Sequence, residues 1–204
     1  MDTYILATTN PMKYREILSI IGETPGIQIL SMADFPGAAL PEETGATFAE
    51  NARLKAEYCT NATGLPSIAE DSGVEIAAFD GAPGLYSARW LAGPAADKTA
   101  EILRRMEGVP AEKRAVRLCC SMVLVYPNRP DLTVEVEGTW NGVIATSARF
   151  GENSRKDCPY DPILEMTSGS YAGMTLDEMP VAEKNAVSHR GKALAQLIPH
   201  LLNS

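Results

Sequence analysis

Ser67-Ile68-Ala69-Glu70-Asp71-Ser72-Gly73 is the stretch from which this chain is best read. An apolar run stops at two adjacent carboxylates followed by a turn signal. Side chains alternate faces along a strand, so neighbouring acids at its end cannot point the same way. One of them is then aimed into a site at the strand's C-terminal end, where open α/β sheets bind ligands. Asp-Ser-Gly is also ordinary turn chemistry, because Asp and Ser bond to nearby backbone and Gly admits positive φ. The stretch predicts a strand over 67–70 closed by a turn. Whether the acids carry chemistry depends on the partners the rest of the chain supplies.

Upstream, Thr47-Phe48-Ala49-Glu50 is a capping box that opens a helix running to about residue 62, stopped by Gly64-Leu65-Pro66. Earlier still, an apolar strand over 4–8 leads into Asn10-Pro11, a helix start by the N-cap and N1 rules. Ile17, Leu18 and Ile21 give that helix its apolar stripe, Gly22 suits its end, 27–30 reads as a second strand, and 36–46 as a loop. Downstream, the pattern predicts a strand over 74–79, a structured loop over 80–93 and a helix over 96–107. The long β-rich runs 115–126 and 132–144 are joined by Pro127-Asn128-Arg129-Pro130 as an antiparallel pair, with Glu135 and Glu137 alternating against Val134 and Val136 on a wet face. Residues 145–159 are polar and irregular, 162–166 suits a short strand, and 175–178 opens a helical region. Ser188 caps a last helix carrying Leu194, Leu197, Ile198, Leu201 and Leu202. Early α/β alternation followed by an antiparallel pair gives one α/β domain over 1–204 with a central mixed sheet flanked by helices.

Composition narrows the function. With 26 acidic and 18 basic residues the formal charge is −8, which argues against a nucleic-acid polymer or an anionic membrane as partner. A small anionic substrate needs only a few local cations. No apolar stretch approaches the roughly 20 residues that span a bilayer, and the N-terminal residues match neither a signal peptide nor an anchor. Cys59, Cys119, Cys120 and Cys158 form no CxxC pair and suit a reducing cytoplasm, and two histidines make a zinc site a poor expectation.

Three further segments carry candidate chemistry. Thr8-Thr9-Asn10-Pro11-Met12-Lys13 places hydroxyls, helix-start N–H groups and a lysine at a strand-to-helix junction, which suits an anion but lacks the glycines of a P-loop; a well-capped helix with a surface lysine has the same sequence. Asn51 and Lys55 share a helix face, and Glu42 and Glu43 lie just before that helix. Those acids either favour the helix dipole or supply one carboxylate that holds a hard divalent cation together with Asp71. Ser188-His189-Arg190 puts cations in a first helical turn, against the dipole, with Lys184 four residues before.

Taken together, Thr8-Thr9-Asn10 with Lys13 and Glu16, Glu43 through Phe48 with Glu50-Asn51-Ala52 and Lys55-Ala56, Glu70-Asp71-Ser72-Gly73, Gly81-Ala82-Pro83-Gly84 with Tyr86-Ser87-Ala88-Arg89, Tyr160-Asp161-Pro162-Ile163, and Glu183-Lys184 with Ser188-His189-Arg190 stand in that order over nearly the whole chain. This chain resembles the inosine triphosphate pyrophosphatase family, enzymes that hydrolyse dITP, ITP and XTP to the monophosphate and pyrophosphate. The resemblance implies an elongated ITPase-like, Maf-like fold with an active-site cleft between two lobes, a Mg²⁺ requirement, homodimers and a cytoplasmic role in cleansing the nucleotide pool. It places Mg²⁺ on Glu43 and Asp71, and general-base chemistry on Asp71 with Lys55 as its catalytic companion. Thr8, Thr9, Asn10, Lys13 and Lys55 grip the triphosphate, with Ser72 beside it. Arg89, Tyr160 and Asp161 join the substrate-binding set, and Lys184, His189 and Arg190 read the 6-oxo purine.

The chain departs from the family in one segment. The usual Phe-Gly ahead of Tyr-Asp-Pro is replaced by Asp157-Cys158-Pro159, so the base-stacking position falls either to Cys158 or to a displaced Phe150-Gly151. Thr9 also stands where the family often has Gly. Two other readings follow: a Maf-like pyrophosphatase with another base preference, or a nucleotide-binding protein with little turnover.

Overall fold

The computed structural model describes residues 2–22, 24–35, 39–152, 154 and 157–201. These form a seven-stranded mixed sheet and five α-helices, the α/β class expected. In chain order they are β1 (Asp2–Leu6), α1 (Pro11–Ile21), β2 (Ile27–Ser31), α2 (Phe48–Thr63), β3 (Ser67–Ile76), β4 (Pro83–Gly84), α3 (Ala95–Arg105), β5 (Ala115–Tyr126), β6 (Arg129–Ile144), β7 (Leu164–Glu165), α4 (Val181–Val187) and α5 (His189–Leu201). The strand order is β2-β1-β3-β5-β6-β7, with β4 beside β3. β1 runs parallel to β2 and β3, whereas β4 is antiparallel to β3 and β7 to β6.

The chain divides into two compact units. The first comprises Met1–Ser72, Cys119–Thr139 and Ser188–Ser204. Strand alternation there sorts the core into two layers. Tyr4 and Leu6 of β1, Ile68 of β3 and Cys120, Met122 and Leu124 of β5 pack with Ile17 and Ile21 of α1 and with Ala193, Leu194, Leu197 and Leu201 of α5. Ile5, Ala7, Ala69, Val123 and Val125 face the other way, onto Ala52, Ala56 and Cys59 of α2. The second unit, Gly73–Leu118 and Trp140–Val187, builds its core from Val74, Ile76, Ile102, Met106, Val116, Leu118, Trp140, Ile144 and Leu164, among others.

Two expectations are corrected. The turn at 71–73 does not form: β3 continues unbroken to Ile76, and Val74 and Glu75 pair with β4. Asp71 still makes the local bond that suggested a turn, accepting from the Ser72 N–H at 3.1 Å, but the ladder keeps the backbone extended. Residues 77–79, expected in a separate strand, form a single 3-10 turn. The second correction concerns residues 175–178, where no helix begins. There the Glu178 carboxylate folds back onto the Thr175 N–H and hydroxyl and onto Arg149, and the helix starts at Val181, after Pro180.

Candidate active site

The alternation that sorts the core also sorts the acids. Continuing along β3, Ile68 and Glu70 face α1 and α5, and Ala69 and Asp71 face α2. Each carboxylate therefore meets a different set of partners.

Glu70 is 2 % exposed and is held by two cations and a thiol. Lys13 Nζ lies 3.0 Å from its Oε1, Arg190 Nη2 lies 3.2 and 3.4 Å from its two oxygens, and Cys120 Sγ donates at 3.2 Å. Arg190 also pairs with Glu16 through Nη1 at 3.0 Å and donates to Ser72 Oγ at 3.3 Å. Burial alone would raise the Glu70 pKa, but Arg190 and Lys13 outweigh it and hold the carboxyl well below the ordinary 4.5. Lys13 and Glu16 are one turn apart on α1, so the helix presents a cation and an anion to the same network.

Asp71, 6 % exposed, faces α2. Asn51 Nδ2 donates to its Oδ2 at 3.0 Å, and Lys55 Nζ lies 3.6 Å from its Oδ1. The same ammonium sits 2.6 Å from Glu43 Oε1. Asn51 is fixed in turn by the Gly45 N–H, which donates to its Oδ1 at 2.8 Å. Gly45 is required by space: a Cβ there would lie 2.7 Å from Asn51 Oδ1 and from Glu50 Cβ. The capping box that predicted α2 is present in modified form, with the Glu50 N–H donating to Thr47 and the Glu50 carboxylate accepting from the Ala46 N–H. It pins the loop carrying Glu43 and Gly45 to the helix carrying Asn51 and Lys55. Burial pushes the Asp71 pKa above its ordinary 3.8, with Lys55 and Lys13 opposing and Glu43 adding to the rise. A carboxylate with raised proton affinity, oriented at both oxygens, is suited to accept a proton from water.

At the β1–α1 junction, Thr8 is buried and its hydroxyl accepts from the Asn10 N–H at 3.1 Å. Asn10 caps α1 through Oδ1, which accepts from Met12 N at 2.9 Å and Lys13 N at 3.4 Å, so two of the helix-start donors are already engaged. Thr9 is exposed. His189 is half-buried at the first position of α5, and the Gly191 N–H donates to Ser188 Oγ at 3.0 Å, as a cap requires.

The remaining expected residues lie in the second unit. Lys184 pairs with Asp161, and both are buried. Tyr160 donates through its hydroxyl to the Ser87 carbonyl at 2.7 Å, and Ser87 Oγ accepts from the Val74 N–H at 2.8 Å. Arg89 is exposed, its guanidinium 5.5 Å from the centre of the Tyr86 ring. Cys158 is 8 % exposed and Phe150 is 64 % exposed. Burial, helped by Asp161, pushes the Cys158 thiol up to about 12.

Thus Lys13, Glu43, Lys55, Asp71, Ser72 and Arg190 take part in the networks around the two β3 acids, Thr8 and Asn10 bond locally at the β1–α1 junction, and Arg89, Tyr160, Asp161 and Lys184 belong to the other unit. Lys184 is therefore on a different unit from His189 and Arg190. Sequence reasoning left Glu16, Asn51, Glu70 and Cys120 out of the site. The spacings Lys13–Glu16 and Asn51–Lys55 were visible, but the convergence of Arg190 on Glu70 across 120 positions has no local signal.

Glu43 and Asp71 offer hard oxygen donors converging on one cation, which fits a divalent ion shared with substrate phosphates. Among the described residues there is no group of three or more His, Cys, Asp or Glu that could hold a metal.

The sequence profile of the Ham1 family matches residues 4–200. A dITP/XTP pyrophosphatase of Geobacter sulfurreducens is 42 % identical over 207 residues, covering 98 % of this chain and 97 % of the relative. One from Geobacillus kaustophilus is 40 % identical over 199 residues, covering 97 % and 93 %. The solved structure of a HAM1 protein from Coxiella burnetii superposes with a TM-score of 0.84 at 33 % identity, covering all of both chains.

Proposed function

This chain belongs to the Ham1 family, and we propose that it hydrolyses non-canonical purine nucleoside triphosphates of the dITP and XTP type to the monophosphate and pyrophosphate. The observation that carries the mechanism is Asp71: buried, oriented at both oxygens, raised in proton affinity, and sharing Lys55 with Glu43. In the proposed reaction a water oxygen attacks the α-phosphorus, the bond from that phosphorus to the bridging oxygen breaks, and pyrophosphate leaves. Asp71 takes the water proton. Glu43 and Asp71 would hold Mg²⁺, which when bound lowers the pKa of water and neutralises charge building on the phosphoryl oxygens. Lys13 and Lys55 stabilise that same charge as nearby cations. Thr8, Thr9, Asn10 and Ser72 complete the phosphate grip, and the family resemblance assigns Arg89, Tyr160 and Asp161 to substrate binding.

Lys184, His189 and Arg190 are assigned to the purine. A 6-oxo purine offers an acceptor where adenine offers an amino donor, and Arg190 has only donors, so adenine would leave a donor unmatched. Nη1 and Nη2 of Arg190 are held by Glu16, Glu70 and Ser72, whereas its buried Nε–H has no hydrogen-bond partner among the described residues. Of the two candidates for base stacking, exposure favours Phe150, because Cys158 is buried. That choice supports the purine reading over a Maf-like shift in base preference. The four free cysteines, all buried, suit the reducing cytoplasm, and a homodimer is proposed from the family resemblance.

The deciding experiment gives the purified protein Mg²⁺ and a panel of triphosphates, with pyrophosphate and orthophosphate assayed separately. Pyrophosphate from dITP and XTP is expected, with dATP consumed far more slowly. Orthophosphate alone would overturn attack at the α-phosphorus, and no product from any triphosphate would leave a binding protein. Omitting Mg²⁺ tests the metal, and light scattering tests the dimer.

A further inference from the structure

Lys55 carries more than a phosphate contact. Its ammonium stands 2.6 Å from Glu43 and 3.6 Å from Asp71, the two carboxylates assigned to the metal, and its side chain is as buried as that of Asp71. One positive charge thus already occupies the point on which two negative charges converge. A divalent ion arriving alone would meet that ammonium at close range in a poorly solvated place, where like charges repel strongly. It would also find only two protein carboxylates, since no three-acid group exists among the described residues. Two carboxylates bind Mg²⁺ weakly until phosphate oxygens complete the shell.

We propose that Lys55 is the resting counter-ion of the metal position, so that the metal enters together with the nucleotide's phosphates and not before them. On their arrival Lys55 exchanges its carboxylate partners for phosphate oxygens, and the vacated carboxylates take the metal. The side chain is equipped for this: four methylenes carry the charge, and the ammonium is a mobile point donor. Asp71 does not lose its orientation in the exchange, because the two oxygens have separate holders. Lys55 approaches Oδ1, whereas Asn51 holds Oδ2 and is itself fixed by the Gly45 N–H. The ion-pair swap therefore moves a lysine and leaves the base in place. This inference rests on the pyrophosphatase reading and on its metal assignment, and it sets the order in which that site fills.

The test titrates Mn²⁺, with free ion read by electron paramagnetic resonance, into wild type, Lys55→Gln and Lys55→Arg. Each is titrated alone and with a non-hydrolysable α,β-imido analogue of dITP, and folding is checked by circular dichroism. Wild type and Lys55→Arg are expected to bind Mn²⁺ weakly alone, and Lys55→Gln at least about tenfold more tightly, a typical size for coupled charges. Lys55→Gln binding no tighter than wild type would overturn the proposal. A second measurement needs no variant: Mn²⁺ at the concentration used with the analogue, but given without nucleotide, should leave the wild-type melting temperature unchanged, and a rise as large as that seen with the analogue would overturn it. Absence of Mn²⁺ binding in every arm, analogue included, would instead remove the metal assignment and this proposal with it, while turnover in the triphosphate panel would still stand or fall separately.

Discussion

Glu70 and Asp71 are consecutive in β3, yet among the described residues they share no side-chain hydrogen-bond donor: Glu70 accepts from Arg190, Cys120 and Lys13, and Asp71 accepts from Asn51. Strand alternation alone separates them, with α1 and α5 on one side and α2 on the other. In the proposed mechanism the separation gives one acid a structural task and the other a chemical one.

Glu70→Gln should destabilise the protein by about 3–5 kcal/mol at neutral pH, because it leaves the buried charges of Arg190 and Lys13 with too little compensation. The pH dependence follows from the direction of the shift. The folded-state pKa lies well below 4.5, so the carboxylate's contribution is fully present above the unfolded value and is lost as pH falls through the folded one. Urea unfolding of wild type and variant at neutral pH and at successively lower values should show the gap constant well above the ordinary 4.5 and narrowing as pH falls below it. A gap constant with pH would remove Glu70 as a charged anchor.

Asp71→Asn should lower kcat by about 10²–10⁴-fold, the usual size of a general-base contribution. It should do so without unfolding the chain. Asp71 has a folded-state pKa above 3.8, so its charge costs stability as pH rises through that value. Neutralising it should therefore raise or preserve the melting temperature. Near-normal turnover would take Asp71 out of the mechanism.

Gly45→Ala should cost activity although Gly45 touches no substrate in the proposed reaction. Its Cβ would force Asn51 away from a 2.7 Å contact, and Asn51 orients Asp71. Misplacement of a catalytic group on this scale costs about 10²-fold, to be read in kcat by steady-state kinetics with dITP.

Phe150→Ala should weaken dITP binding by about 1–3 kcal/mol if its ring stacks on the base, read as a rise in KM. The alternative residue gives an independent readout. With its thiol pushed up to about 12 and its side chain buried, Cys158 should resist iodoacetamide at pH 8 in the native protein, as followed by mass spectrometry. Rapid labelling of Cys158 with an unchanged KM for Phe150→Ala would reverse the assignment.

Much of this site was legible because its pieces are local. Asn10-Pro11 and Thr47 through Glu50 announce their helices by capping chemistry, and both helices start where expected. The strand at 67–73 was half legible: its apolar entry was plain, but its continuation through Asp71-Ser72-Gly73 depends on pairing of Val74 and Glu75 with β4. Turn-forming residues carry no record of a distant ladder. The acids at Glu43 and Asp71 could be matched by type, but Lys55 between them could not, because only the folded chain brings a loop, a helix and a strand to one ammonium. Likewise Arg190 reads locally as a charge misplaced at a helix start, and its reason, Glu16 and Glu70, lies far away in sequence.

The opposite facing of residues 70 and 71 also bears on how natural variants of this protein should be judged. An acid exchanged for the other acid is ordinarily scored as harmless. Here Glu70→Asp would shorten the reach to a guanidinium and an ammonium that must both be met, and Asp71→Glu would push a carboxylate into space already divided between an amide and an ammonium. Two substitutions that look equally mild on paper should therefore be expected to produce distinct defects, a less durable protein in the first case and an inactive one in the second.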